Sequence, residues 1–300
     1  MRKERIQIIL GWIAVIIITA AAAFWSFWGI IENFHEGWYF QSFLQNITLM
    51  FVQYLLFPLV FMIAAIISIR WNKAGSVLLL IAGVFSIFFF RSFAGIVFIG
   101  IPLILLAALF YFSRVENKKI ASFLILGIPF AIILSFGTYY GIRVANRFND
   151  NNFGERTIKG NGVELTWAPQ GPGWPDNGTA WKEAGVICAH LSADGKSLSD
   201  TVVGIWRLPT VDEAVRSMVY HGENAGGVWN GNTKNASYKF RPDKESPLWN
   251  IYSKVIYWWT ADDINDKYAY IIVYDGGVRM RDKKIRPAYL TFRAVKDVRK

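Results

Sequence analysis

The chain has 300 residues, a formal net charge of +10 and a positive mean hydropathy of +0.28. Its single cysteine, Cys188, excludes an internal disulfide and a multi-cysteine metal cluster. Residues 1–145 hold ten basic and four acidic residues, and residues 146–300 hold 22 and 18, so the basic excess of the second half is too small to indicate nucleic acid. Nearly all long apolar runs precede residue 145, which predicts a membrane half followed by a soluble half.

The first half, residues 1–145, predicts a bundle of five transmembrane helices. Residues 6–31 contain no charge and exceed the ~20 apolar residues that span a bilayer. The stretch 76–112 is too long for one helix, so we divide it at a turn, Arg91-Ser92-Phe93. The predicted spans are 6–31, 47–69 with Pro58, 76–90, 94–112 and 120–142 with Pro129.

Basic residues fix the predicted orientation of these spans. With five spans, Lys and Arg fall in the N-terminal segment and in the second and fourth loops, whereas the first outer loop, 32–46, has neither. We therefore predict a multi-pass cell-membrane protein. Its N-terminus is in the cytoplasm, and its C-terminal domain lies outside the cytoplasm. The spans hold no charge apart from Arg91, and Gln53 suits a helix–helix hydrogen bond, so we predict an anchor rather than a transporter.

The second half predicts an α+β domain over residues 160–297, joined to the membrane by a polar linker, 146–159. The hairpin signal Asp275-Gly276-Gly277 separates two strands, and residues 221–250 form a long loop region. A helix over 181–191 has Thr179 as its cap and buries Cys188. The predicted strands are 162–168, 201–207, 254–260, 268–274, 278–281 and 289–295.

The domain is organised around the segment 204–213, where an apolar strand anchored by Trp206 leads into a helix. Thr210 and Glu213 have capping-box spacing, so each side chain should accept a backbone N–H of the first helical turn. Pro209 fixes the turn and pushes Leu208 toward extended backbone. The apolar helical period then continues to Gly222.

An ordered series of short motifs carries a family resemblance over residues 160–296. The series is Leu165-Thr166-Trp167, Trp181-Lys182-Glu183-Ala184 with Cys188, Trp206-Arg207-Leu208-Pro209-Thr210 with Glu213, Tyr257-Trp258-Trp259-Thr260, Asp275-Gly276-Gly277 and Phe292-Arg293-Ala294-Val295. It resembles the Lcl C-terminal domain family, a bacterial module, and its third motif is also similar to formylglycine-generating sulfatase-modifying enzymes. The resemblance implies a C-type-lectin-like fold and, from the adhesin that names the family, binding of sulfated glycans.

Basic and aromatic residues are the candidate ligand contacts. Arg279 and Arg281 alternate on one predicted strand, so both guanidinium groups face the same side, where arginine pairs bidentately with sulfate, phosphate or carboxylate. Lys283 and Arg286 extend this basic run. Trp229 and Trp249 are candidates for stacking on sugar rings. The competing interpretations are a charged, solvated strand edge and tryptophans packed in a core.

The remaining polar candidates favour structural roles. Arg207 and Glu213 lie beside a helix cap and should serve the fold. Cys188 has no evident histidine partner, since His190 falls on another helix face, so we predict no catalytic residue. Asp262, Asp263, Asn265 and Asp266 match no calcium-loop spacing; we expect a solvated turn, no metal and no cofactor.

These features predict a membrane-anchored module that binds an anionic glycan or cell-envelope polymer on the outer face. An envelope enzyme related to the formylglycine-generating type is one alternative, and it would require a pair of metal ligands or a His–carboxylate pair in a concave site. A sensor acting through a cytoplasmic partner is the other.

Overall fold

The computed structural model describes residues 2–231 and 236–298 and separates two compact units. The helical unit comprises Met1–His35 and Ser42–Arg143, and the sheet-containing unit comprises Glu36–Gln41 and Val144–Lys300. The predicted order of a helical half followed by a sheet-containing half is confirmed. The helices are α1 (Arg2–Glu36), α2 (Phe43–Leu49), α3 (Leu56–Arg70), α4 (Asn72–Phe90), α5 (Phe93–Gly95), α6 (Ile101–Phe112), α7 (Lys118–Ala145), α8 (Trp181–His190) and α9 (Val211–Ser217).

Several helices are long and apolar enough to cross a membrane. Four segments of the described chain meet this criterion alone: Arg2–His35, Asn72–Phe90, Phe93–Phe112 and Lys118–Ala145. The pair Phe43–Tyr54 and Leu56–Arg70 meets it together, with a 64° bend between the two parts. The helical half therefore has the composition of a membrane protein, with up to five spans.

The bend in the second predicted span has a local cause. Met50–Tyr54 forms a π-helical turn after α2, and α3 begins at Leu56. Pro58 has no N–H to donate to the Tyr54 carbonyl, so the helical hydrogen-bond ladder is interrupted there. Gly29 of α1 packs against that carbonyl, since a Cβ on Gly29 would lie 2.6 Å from the Tyr54 oxygen. The sequence predicts Pro58 inside a continuous span but does not predict this bend.

The division at Arg91 is present in the structure. Arg91 ends α4 in the left-handed conformation, with φ 45°. Ser92 caps the next helix by accepting the Gly95 N–H at 3.1 Å. A π-helical turn, Ile96–Gly100, joins α5 to α6, and Gly100 allows close packing against α4 because a Cβ there would lie 2.6 Å from the Ile87 side chain.

Two main sheets build the C-terminal unit. The first has the antiparallel order β1-β2-β9, and the second has the order β7-β6-β5-β8, in which only β5 and β8 run parallel. Since β7 is at the end of its sheet, one of its edges pairs with no strand of that sheet. The strands are β1 (Arg156–Gly160), β2 (Val163–Trp167), β3 (Val219–Tyr220), β4 (Glu223–Asn224), β5 (Tyr257–Asp263), β6 (Tyr268–Val273), β7 (Val278–Asp282), β8 (Leu290–Thr291) and β9 (Val295–Asp297).

Stacked tryptophans occupy the core of this unit. Trp258 is fully buried, with its ring centroid 3.7 Å from that of Trp249 and 5.5 Å from that of Trp167. Trp259 is also fully buried, and its Nε1 donates to the Thr179 carbonyl at 2.7 Å. These rings bring both main sheets and the segment before residue 250 into one apolar cluster.

Several predicted elements of the unit differ from the observed ones. The strand over 201–207 is absent, and only Arg207 forms a bridge, to Val295. Helix α9 ends at Ser217 because Val219–Tyr220 pairs with β4 instead of extending the helix to Gly222. The predicted strand over 289–295 is divided into β8 and β9, which belong to different sheets.

Hydrogen bonds explain two local differences from what the sequence predicts. Thr179 does not cap α8; its hydroxyl contacts that of Thr291 at 3.2 Å, and the cap position is Ala180. The segment predicted as a linker is folded, because it contains strand β1 and because the Phe148 N–H donates to the Glu245 carboxylate at 3.2 Å.

Candidate functional site

The segment 206–213 forms the predicted capping box. Thr210 Oγ1 accepts the Glu213 N–H at 3.2 Å, and Glu213 Oε2 accepts the Thr210 N–H at 2.8 Å. Asp262 adds a third acceptor by receiving the Val211 N–H. Three backbone N–H groups at the start of α9, those of Thr210, Val211 and Glu213, therefore have side-chain acceptors.

Arg207 joins this cap to the last strand. Its guanidinium donates two hydrogen bonds to the Glu213 carboxylate, both at 2.7 Å, and one to Asp297 at 2.7 Å. Burial raises the pKa of Glu213, but the hydrogen bonds from Arg207 and Thr210 outweigh it and hold the pKa below its ordinary value. The polar side chains of this motif thus form hydrogen bonds with protein groups.

The apolar members of the motif are packed. Trp206 is buried, and its Nε1 donates to the Ser192 carbonyl at 2.8 Å. Leu208 is buried in the core, and the Pro209 carbonyl accepts the Ala261 N–H at 2.8 Å. The side chains of the whole motif are thus packed or hydrogen-bonded within the fold.

The predicted basic surface begins on the outer strand β7. Arg279 and Arg281 lie two residues apart, opposite Ile271 and Ala269 of β6. Arg279 is exposed and forms no ion pair among the described residues. The Arg281 guanidinium is half-buried and lies 5.7 Å from the centroid of the Tyr257 ring. Two arginines thus share one face of a sheet edge.

The rest of the basic run divides between surface and interior. Lys283 is buried, its Nζ 2.8 Å from Asp263 Oδ2 and 4.3 Å from the Trp181 ring centroid. Its hydrogen bond lowers the pKa of Asp263. Because Asp263 and Trp181 already contact its ammonium group, Lys283 is no longer a candidate for ligand binding. Arg286 remains exposed, 3.9 Å from Glu183.

The two candidate sugar-stacking tryptophans have different environments. Trp229 is half-buried and packs edge-on against Tyr270, with centroids 5.5 Å apart. Trp249 is 2% exposed and stacked on Trp258, so no ligand reaches its faces in this conformation. Trp249 is thus a core residue, and Trp229 alone keeps a partly open ring.

The acidic loop is held by protein partners. Asp262 accepts a helix N–H, Asp263 pairs with Lys283, and Asn265 accepts the N–H groups of Lys267 and Tyr268 at 2.9 Å. Asp266, the last candidate, is exposed. Across residues 2–231 and 236–298, no group of three or more His, Cys, Asp or Glu is arranged to hold a metal ion.

Cys188 lies in the core and is 1% exposed. Burial raises the pKa of its thiol to about 12. His190 is separate from it and contacts the Ser199 carbonyl through Nδ1 at 3.0 Å. This environment opposes thiolate formation, and so it opposes a nucleophilic role for Cys188.

A buried charged segment at 242–249 is the main feature that the sequence does not predict. Asp243 pairs with Arg147 at 2.8 Å, and both side chains are almost completely buried. Glu245 is 1% exposed and accepts N–H groups from Phe148 and His221. Lys244 is fully buried and donates to the Ser253 carbonyl. Such a density of charged residues ordinarily indicates an exposed loop, so no local signal predicts its burial.

Arg293 is a second buried cation, with 0% exposure. It donates to the carbonyls of Ala168, Pro247 and Leu248 at 2.9, 2.8 and 2.6 Å. The guanidinium also lies 3.8 Å from the Trp174 ring centroid. Burial lowers its pKa well below the ordinary arginine value. The motif Phe292-Arg293-Ala294-Val295 therefore has a physical role as a clamp on three backbone carbonyls.

Comparison with known proteins informs only the helical half. The family model of a domain of unknown function, DUF7670, matches residues 2–122, which include α1 to α6 and the start of α7. No curated protein and no solved structure matches the chain. The resemblance of residues 160–296 to the Lcl C-terminal family stays a prediction.

Proposed function

We propose that the protein is a membrane-anchored binding module that recognises an anionic glycan or cell-envelope polymer. In this proposal the helical half crosses the membrane five times, and the sheet-containing half lies outside the cytoplasm with a C-type-lectin-like fold. The basic residues of the N-terminal segment and of the second and fourth loops support this orientation.

The observation that carries the proposal is the placement of Arg279 and Arg281 on outer strand β7. Their shared face and the free cation at Arg279 suit a polymer with repeated sulfate, phosphate or carboxylate groups. Arg286 adds an exposed cation, and half-buried Trp229 is the remaining candidate for contact with a sugar ring. The ligand surface in this proposal consists of Arg279, Arg281, Arg286 and Trp229.

Binding by the full chain in lipid nanodiscs tests this surface. Dextran sulfate and neutral dextran serve as probes, and the variant carries Arg279→Ala and Arg281→Ala. Loss of two charge-assisted contacts should weaken dextran sulfate binding about tenfold or more. The matched control, Lys159→Ala with Lys182→Ala, removes the same charge from exposed positions of the same unit. Equal binding by both double variants would refute the site.

The enzyme alternative receives less support from the structure. A formylglycine-generating type of chemistry uses paired cysteines, whereas this chain has one cysteine, which is buried and has a raised thiol pKa. No described contact favours the sensor alternative over simple binding.

A further inference from the structure

A polar cavity of about 420 Å³ lies at one end of the helical unit. Its walls come from Gln7 near the start of α1, the α3–α4 junction and the loop between α6 and α7. Three cations line it, Arg70, Arg114 and Lys118, against one carboxylate, Glu116. Within the described chain, none of these three cations forms an ion pair or a side-chain hydrogen bond. The cavity is therefore a concave site with an uncompensated positive charge.

Hydrogen bonds fix the backbone of the α6–α7 loop, which forms one wall of the cavity. The Arg114 N–H donates to the Gln7 carbonyl at 3.0 Å, which fixes the α6–α7 loop against α1. Asn72 Nδ2 donates to the Ser113 carbonyl at 3.2 Å, which fixes the same loop against α4. Gly11 permits this approach, because a Cβ there would lie 2.6 Å from the Arg114 oxygen. The basic side chains thus project from a backbone that is already positioned.

An apolar groove of about 570 Å³ lies between α1 and α6 of the same unit. It runs along α1 from Leu10 to Ile17 and along the facing side of α6 to Phe112. Leu10 follows the cavity residue Gln7 by one helical turn, and Phe112 directly precedes the cavity residue Ser113. The Leu10–Ile17 segment is about 10 Å long at the helical rise per residue. The lining residues of the basic cavity and of the apolar groove are therefore near neighbours along α1 and at the end of α6.

We propose that the cavity and groove together bind one anionic phospholipid. Arg70, Arg114 and Lys118 hold its phosphate, and an acyl chain lies along the groove. Basic pockets between membrane helices are suited to phosphate headgroups, and arginine forms directed hydrogen bonds with phosphate oxygens. The apolar groove favours a lipid over free phosphate, because a soluble anion has no apolar part to fill it. This site is independent of the proposed polymer-binding surface.

Lipid binding to the purified full chain in neutral detergent tests the proposal. The probes are phosphatidylglycerol, phosphatidylcholine and inorganic phosphate, and native mass spectrometry measures how much lipid or phosphate stays bound. We expect phosphatidylglycerol to bind more tightly than phosphatidylcholine. Replacing both Arg70 and Arg114 with Ala should weaken phosphatidylglycerol binding about 30-fold, at about 1 kcal/mol per cation.

Two further variants separate the possible outcomes. Lys73→Ala with Lys119→Ala removes two cations from the same ends of α4 and α7 but outside the cavity, so its binding should stay unchanged. Leu109→Trp fills the groove and should weaken lipid binding while leaving phosphate binding unaffected. Equal losses in the two double-cation variants would overturn the headgroup site. Equal binding of phosphate and phosphatidylglycerol, unaffected by Leu109→Trp, would overturn the assignment to a lipid.

Discussion

Replacement of Arg293 should destabilise the sheet-containing unit more than replacement of any exposed arginine. Arg293→Ala leaves the carbonyls of Ala168, Pro247 and Leu248 without this donor. Each orphaned buried acceptor costs about 1–3 kcal/mol, so the three cost about 3–9 kcal/mol. Water that enters the emptied volume satisfies some of them, and we expect a loss of about 3–5 kcal/mol.

The burial of the guanidinium charge opposes this loss. Burial lowers the pKa of Arg293, so the charged form is held at an energetic cost that replacement removes. Arg293→Met separates the two effects, because methionine fills much of the volume but carries neither charge nor donors. If the carbonyl contacts dominate, the free energy of unfolding of the methionine variant also falls by about 2–4 kcal/mol. If the cost of burying charge dominates, it gains stability.

Urea unfolding of the full chain, followed by brief proteolysis of the unfolded fraction, measures these differences. Arg241→Ala is the matched control, since Arg241 is 71% exposed and pairs with Asp275 at 2.9 Å. An exposed pair of this kind contributes about 0–1 kcal/mol. A free energy of unfolding for Arg293→Ala equal to that of the control, or higher, would refute the carbonyl-clamp argument.

Three other predictions concern the cap of α9 and the orientation of the chain. Thr210→Ala should lower the free energy of unfolding by about 1 kcal/mol, whereas Thr210→Ser should retain it, as measured by the same urea assay. Because the pKa of Glu213 is lower in the folded state, this carboxylate stabilises the fold fully above its unfolded pKa, and the stabilisation is lost as the pH falls through the folded pKa. Glu213→Gln should therefore weaken the loss of stability in acid. An unchanged dependence of the free energy of unfolding on pH would contradict this argument. A membrane-impermeant maleimide applied to intact cells should leave Cys188 unlabelled and should label a Lys284→Cys variant, whereas labelling of that variant only after cell disruption would place the unit inside.

Local sequence signals account for the elements that the sequence predicts correctly. The spacing of Thr210 and Glu213 specifies a cap that needs no distant partner, and Asp275-Gly276-Gly277 specifies a tight turn between β6 and β7. Long apolar runs likewise specify helices, whatever packs against them. Each of these signals depends only on residues close together in the chain, so it can be recognised without knowing the tertiary contacts.

Tertiary contacts determine the features that the sequence alone does not predict. The segment 242–249 resembles an exposed loop, but the ion pair with distant Arg147 helps to offset the cost of burying Asp243. Lys283 belongs to a basic run in sequence, but Asp263 and Trp181 bring it into the interior. Trp249 lies in a polar stretch of sequence, but its ring stacks on that of Trp258 in the core. Each outcome depends on a partner far along the chain, which spacing does not reveal.

The solitary thiol at Cys188 has a consequence for how this unit is made. Its core is assembled from indole rings and carbonyl-bound cations, with no covalent cross-link between segments. Dithiothreitol or glutathione therefore has no bond to break in it. Formation of the folded unit therefore requires neither an oxidising compartment nor an enzyme that forms disulfides.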